Sequence, residues 1–267
     1  MTGITVNMVV KNEDNWVWYA ISSVLPFVDR LLVNDAGSTD QTVEQIKLID
    51  SKKIEFFKTP GGTAQHVTKI RQWQLDQTKT DWIWIVDGDE IYTQKLGQEI
   101  VGAVESGKYE GVVVRRYDLL GDVYHFQSES VGEYKLLGHK GHLSTRLLNK
   151  KKIQGLHVEG NYGQESYFDG NNRHTWEREK KDYYVTANRF FHTSYLRRSS
   201  EGARLEGVLL RDKFKVEKGE RIKEKLPEVF YKEKLKFIQD PLKKRSVFFE
   251  LVALLVTPIK KIVRSLR

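Results

Sequence analysis

The chain has 267 residues, 39% hydrophobic and 30% charged, a composition that fits one large folded domain or one domain with a small appendage. It contains no cysteine, which excludes disulfides, thiolate zinc sites and cysteine nucleophiles. The formal net charge of +8 is concentrated in one segment: Tyr231–Arg267 carries ten Lys or Arg against three Asp or Glu, and the absence of basic–aromatic interleaving or a helix-turn-helix pattern argues against a nucleic-acid partner.

The opening MTGITVNMVV lacks the basic start and long apolar core of a secretory leader, and it reads as a first strand, Thr5–Val10. Asn15–Phe27 carries helical periodicity and ends near Pro26. Arg30–Val33 is a short apolar run, and Asp40–Ile49 reads as a helix with Ser38 or Thr39 as its cap. Lys53–Lys58 is strand-like, and Pro60-Gly61-Gly62 marks a loop. Ala64–Gln77 follows as a helix, Trp82–Val86 as a strand, Gln94–Glu105 as a helix and Gly111–Arg115 as a strand. This alternation predicts an α/β fold with a mainly parallel sheet flanked by helices. Beyond residue 116 it fades. His142–Asn149 is strand-like, residues 160–182 read as long polar loops, and Glu201–Val216 reads as a helix rich in Arg and Lys.

In open parallel sheets ligands bind beyond the carboxyl ends of the strands. Three such ends carry polar groups here: Lys11-Asn12-Glu13, Asp35, and Asp87-Gly88-Asp89-Glu90. A close carboxylate pair serves either a divalent cation or acid–base work. Oxygen ligands suit Mg²⁺ or Mn²⁺, which bind through one or two carboxylates plus substrate phosphates. A solvated Asp-Gly turn is the alternative reading, and Asp35 on a neighbouring strand end favours the site.

Val10-Lys11-Asn12-Glu13, then Val33-Asn34-Asp35-Ala36-Gly37-Ser38-Thr39-Asp40-Gln41-Thr42, then Asp87-Gly88-Asp89-Glu90 follow in order near the start of the chain. In that order they resemble the motifs of family-2 glycosyltransferases with the GT-A fold. Thr145-Arg146-Leu147-Leu148, His157-Val158-Glu159 and Phe191–Leu196 are similar, less specifically, to later segments of such enzymes. The resemblance implies a GT-A sheet with a C-terminal helical extension, a nucleoside-diphosphate-sugar donor of the UDP, GDP or dTDP type, Mg²⁺ or Mn²⁺, and inverting transfer to an acceptor hydroxyl. By position it gives Asp35 the nucleobase, Asp87 the ribose or the metal, and Asp89 the main metal contact in catalysis. Asn12 and Glu13 form the nucleotide floor, and Arg71 faces the nucleotide. Glu159 is the expected catalytic base. Val158 separates it from His157, whereas relatives often have the pair adjacent, and Asp118, Asp122 and Glu165 stand as alternatives. His192 either completes the metal shell or is a hydrogen-bonded core histidine. The expected division is a transferase domain over 1–230, with a nucleotide-sugar half (1–115) and an acceptor half (116–230), followed by a tail over 231–267.

Within the tail, Val247–Val256 is an apolar stretch too short for a spanning helix of about 20 residues. Its flanks, Lys243-Lys244-Arg245 and Lys260-Lys261 with Arg264 and Arg267, suggest an anchor on an anionic membrane surface. The alternative is a terminal helix packed on the domain. The combined expectation is a cytoplasmic protein, peripheral on the cytoplasmic face of the membrane, acting on a glycan or lipid-linked acceptor in surface-polysaccharide or glycolipid assembly. Two other readings compete. A sugar-nucleotide nucleotidyltransferase requires a Gly-rich basic loop after the first strand, which Val10-Lys11-Asn12-Glu13 is not. A non-catalytic membrane-surface module would have no need of Asp87 and Asp89.

Overall fold

Strands buried on both faces organise the chain. The computed structural model describes residues 3–59, 64–132, 134–160, 165–196, 215–234 and 236–266. In chain order the elements are β1 (Ile4–Val10), α1 (Val17–Val24), β2 (Arg30–Asp35), α2 (Thr42–Lys47), β3 (Ile54–Lys58), α3 (Ala64–Gln77), β4 (Trp82–Asp87), β5 (Glu90–Ile91), α4 (Gln94–Glu105) and β6 (Gly111–Asp118). Then come β7 (His125–Phe126), β8 (Tyr134–Leu136), β9 (His139–Gly141), β10 (Leu143–Asn149), β11 (His157–Glu159), β12 (Ser166–Phe168), β13 (Tyr183–His192), β14 (Glu220–Arg221) and α5 (Val247–Ser265).

The main sheet has eight strands in the order β3-β2-β1-β4-β10-β6-β13-β5. The strands β3, β2, β1 and β4 run parallel, β10 runs antiparallel to both β4 and β6, and β13 returns parallel to β6. β4 shows why these sequences form central strands. Trp82, Trp84 and Val86 point into a core with α1 and α4, while Ile83 and Ile85 point into a second core with Leu75 of α3. Period-two alternation therefore delivers apolar groups to both faces, as a doubly covered sheet requires. α4 is seated by Gly97, where a Cβ would lie 2.2 Å from the Phe27 ring.

The right side of the sheet curls sharply. Asp87 ends β4 and Glu90 begins β5, three residues later, so their Cα atoms are at most about 10 Å apart. The sheet order nevertheless places β10, β6 and β13 between them, a span of about 19 Å if flat. The five strands from β4 to β5 must therefore wrap into a half-barrel. Side chains cross its interior: the Trp84 and Tyr92 rings lie 4.9 Å apart, Tyr92 stacks on Phe190 at 5.0 Å, and the Arg146 guanidinium sits 5.7 Å from the Phe190 ring.

Several expectations change in detail. The start of α2 is held by Asp40, whose Oδ1 accepts from the Thr42 N–H, and not by Ser38 or Thr39. β6 runs on to Asp118, three residues past the expected end. The stretch read as loops contains β12, which pairs antiparallel with β11, because Val158 and Tyr167 bury against Leu75 and Ile153. The expected helix over Glu201–Val216 falls almost wholly outside the described residues, as does the Pro60-Gly61-Gly62 loop. In the tail, α5 extends well beyond the apolar stretch. No helix among the described residues is long and apolar enough to cross a membrane.

Candidate active site

The first wall is built where β1 and β2 end. Asn12 takes φ +56°, a left-handed conformation that Asn tolerates better than most residues. Its side-chain oxygen accepts from the Thr39 N–H at 2.8 Å, and its own N–H donates to Ser38 Oγ at 2.9 Å. The Glu13 N–H donates to Thr42 Oγ1 at 2.8 Å, and Asp35 Oδ1 accepts from the Ser38 N–H at 3.0 Å. The segment from Asp35 to Thr42 is thus folded back onto Asn12 and Glu13, and Asn12, Glu13 and Asp35 are all buried. Gly88 brings this wall against the acidic turn. A Cβ there would lie 2.9 Å from Val10 and 3.2 Å from Glu13, so a larger residue would push the strand ends apart.

The acidic turn is threaded by two arginines. Asp87 Oδ1 accepts from Arg71 Nη2 at 2.8 Å, and Oδ2 accepts from Arg146 Nη2 at 3.2 Å. Arg146 also donates to Glu90 Oε1, while Glu90 Oε2 accepts from the Tyr92 hydroxyl at 3.1 Å. Burial raises the Asp87 pKa, but Arg146 and Arg71 outweigh it and hold the carboxyl well below the usual range. Glu90 is fully buried, and that burial pushes its carboxyl up to about 7 against the pull of Arg146. Each Asp87 oxygen accepts from an arginine, and each keeps a second lone pair that a metal or a ligand hydroxyl could use.

Asp89 and His192 meet on the other side of the turn. The Asp89 carbonyl accepts from the Thr193 N–H at 2.9 Å, and Asp89 Oδ2 lies 3.7 Å from His192 Nε2, beyond hydrogen-bond reach. His192 Nδ1 is 2.8 Å from Asp118 Oδ1, which also accepts from Arg116 Nε at 2.8 Å. The carboxylate holds the proton on Nδ1 and leaves Nε2 turned toward Asp89. Burial works against a charged His192 ring, but Asp89 and Asp118 outweigh it and raise its pKa. Among the described residues no cluster of three or more His, Asp or Glu forms a metal site. The chain offers a pair, Asp89 and His192. That fits Mg²⁺ or Mn²⁺, which take their remaining ligands from phosphate and water.

The carboxylates considered for the base are placed differently. Glu159 is exposed on β11, with His157 Nε2 at 3.5 Å, and makes none of the contacts above. Glu165 immediately precedes β12, with Oε1 3.5 Å from Arg71 Nε, which joins it to the Arg71–Asp87 pair. Asp118 is committed to His192 and Arg116. Asp122 faces His125 at 2.7 Å and the Arg245 N–H at 3.2 Å, beneath α5. Sequence reasoning gave no role to Arg146 or Glu90. One signal was available: a lone Arg in the apolar strand Leu143–Asn149 is a buried charge, and a buried charge demands an acidic partner.

A family model described as Glycosyl transferase family 2 matches residues 5–200. The chain belongs to this family. No curated protein matches it. Several solved structures are similar to this family-2 glycosyltransferase chain. S. aureus TarS 1–349 is 12% identical over 72% of this chain, with a TM-score of 0.44. TarS 1–349 in complex with UDP-GlcNAc is 13% identical over 74% of this chain and 60% of that one, with a TM-score of 0.46. Glucosyl-3-phosphoglycerate synthase from Mycobacterium tuberculosis, in complex with Mn²⁺, UDP and phosphoglyceric acid, is 18% identical over 72% of this chain and 70% of that one, with a TM-score of 0.47. The chain spans 60% of the TarS 1–349 chain.

Proposed function

We propose that this family-2 chain is an inverting hexosyltransferase that moves a sugar from a UDP, GDP or dTDP donor to an acceptor hydroxyl, with Mg²⁺ or Mn²⁺ at Asp89 and His192. One observation carries the reading. An Asp89–His192–Asp118 array, with both carboxylates buried and the histidine partly exposed, stands beside an Arg71–Asp87–Arg146 chain at one end of a parallel sheet. In this reading Asp35, Asn12 and Glu13 contact the nucleoside. Arg71 Nη1 is buried and has no hydrogen-bond partner among the described residues, so it is a donor suited to an anionic ligand. When bound, the divalent ion supplies Lewis-acid neutralisation of the charge building on the departing diphosphate.

The acceptor oxygen attacks the anomeric carbon from the face opposite the diphosphate, through an oxocarbenium-like state, and gives its proton to a carboxylate. Glu159 and Glu165 are the two candidates: Glu159 ends β11 and Glu165 immediately precedes its antiparallel partner β12. The place of Glu165 beside Arg71 favours it over the exposed Glu159. Residues 1–230 then act as the transferase domain. The basic tail supports a glycan or lipid-linked acceptor in surface-polysaccharide or glycolipid assembly at the cytoplasmic face of a membrane.

Calorimetric titration of UDP, GDP and dTDP, with and without Mn²⁺, tests the donor site. Mn²⁺-dependent binding of one nucleotide, lost in Asp89→Ala, is the expected result. A folded protein that binds none of the three defeats the reading.

A further inference from the structure

The helix α5 is docked by a narrow stripe, apolar in its first half and polar in its second. Phe249, Ala253, Thr257, Lys260 and Arg264 recur every three or four residues and form one row. Phe249 packs against Gly121, and Ala253 is fully buried. Thr257 Oγ1 accepts from the Lys218 N–H at 2.8 Å. Arg264 donates twice to the buried Glu217, at 2.7 and 2.9 Å, and Lys260 reaches the same carboxylate at 3.4 Å. Ion pairs and one aromatic ring therefore fix the helix to the domain.

The opposite side is apolar and open. Nine of the fourteen exposed large apolar side chains among the described residues lie between Val247 and Leu266. Phe248 and Leu255 are 76% and 72% exposed and lie side by side on the wheel, with Leu251, Ile259 and Ile262 flanking them. At about 100° per residue these five fill an arc of roughly 80°, and all nine exposed apolar side chains together fill roughly 180°. A helix folded against its own domain in water places its apolar arc inward; here only Phe249 and Ala253 turn inward and the wide apolar arc faces out. The arc carries no acidic residue. Glu250, at its edge, is neutralised by Arg245 at 2.7 Å, and Glu217 by Arg264 and Lys260. Lys243, Lys244 and Lys261 stand exposed at the two ends of the helix.

We infer that α5 lies flat in the interface of an anionic lipid bilayer, with its apolar arc in the acyl boundary and these lysines at the headgroups. This goes beyond the transferase reading and does not depend on it. The choice of occupant rests on charge: an anionic surface complements the uncompensated lysines, whereas a second copy of the same face would bring like charges together. The helix also fixes where the bilayer sits. Arg245 donates to the Leu120 carbonyl, and Phe249 abuts Gly121, on the loop that leaves β6 just after Asp118. The membrane plane therefore passes beside the rim that carries Asp118 and His192.

The test is flotation of the full chain with vesicles of phosphatidylcholine alone and of phosphatidylcholine mixed with phosphatidylglycerol. Binding to the anionic vesicles only is expected, weakened by salt. Leu255→Glu and Ile259→Glu should each weaken partitioning about tenfold or more, and Lys261→Glu about fivefold. Leu48→Glu, an exposed apolar position just past the end of α2, should have no effect. Circular dichroism and melting of the variants should match wild type, since none of these side chains holds the fold. The inference is overturned by failure to float with either vesicle. It is equally overturned by binding that ignores lipid charge or Leu255→Glu, or by a stable dimer that buries the face and persists with vesicles present.

Discussion

Replacing Arg146 by Met tests the buried charge chain at its centre. Arg146 is 13% exposed and donates to Asp87 and to Glu90, whose side chain is 0% exposed. Met keeps much of the length and removes the charge. Stranding one member of a buried ion pair costs about 3–5 kcal/mol. Asp87 retains Arg71, so the loss falls mainly on Glu90, which can escape by taking up a proton. Its carboxyl, raised by burial to about 7 with Arg146 opposing, rises further once Arg146 is gone. A pKa higher in the folded than in the unfolded chain means that the native state binds more protons. Stability then falls as pH rises, until the folded pKa is passed. In wild type that fall ends near pH 7. In Arg146→Met it continues, so the stability gap widens by about 1.4 kcal/mol per pH unit above neutrality. Urea unfolding of both proteins from about pH 6 to about pH 9 measures this directly. The double variant Arg146→Met/Glu90→Gln removes both charges and should recover most of the stability and flatten the pH dependence. A double variant no more stable than the single one, or a gap independent of pH, refutes the reasoning.

Two further outcomes follow from the same geometry. Asp118→Asn should weaken Mn²⁺ binding by about 10- to 100-fold, because the carboxylate that fixes the His192 ring is lost. Unchanged calorimetric affinity would reduce Asp118 to a packing group. Glu165→Gln should lower kcat by about 10²- to 10⁴-fold with donor affinity intact, and Glu159→Gln should change it little. The reverse pattern in steady-state kinetics would return the base role to Glu159.

The first half of the chain was legible because its information is local. Each parallel strand declares itself by a short apolar run, and the topology rule then puts Asn12, Asp35 and Asp87 on one edge without knowledge of any contact. Arg71 was placed by the family resemblance, on the helix before β4. The second half depends on distant pairings. Arg146 meets Glu90 across 56 residues, and His192 meets Asp118 across 74. No periodicity encodes either. β5 is two residues long, and its ladder to β13 is invisible in a sequence window. The apolar stretch and its basic flanks were plain in the tail, but not which face of the helix docks, since part of that choice is made by Glu217, 43 and 47 residues before its partners Lys260 and Arg264.

The half-barrel has a consequence for how the protein is made. Synthesis is vectorial, and Asp87, Asp89 and Glu90 leave the ribosome together in one turn. Arg146 emerges 56 positions after Glu90, and His192 comes later still, on the strand that supplies the ladder to β5. During that interval a nascent chain can assemble β1 to β4 yet carries three adjacent carboxylates without two of their cationic or histidine neighbours. Those groups must stay hydrated, so the curl cannot close on them until β13 arrives. A chain arrested before His192 is therefore left with an unpaired sheet edge, which makes unfinished chains prone to aggregate, and with an acidic turn still open to water.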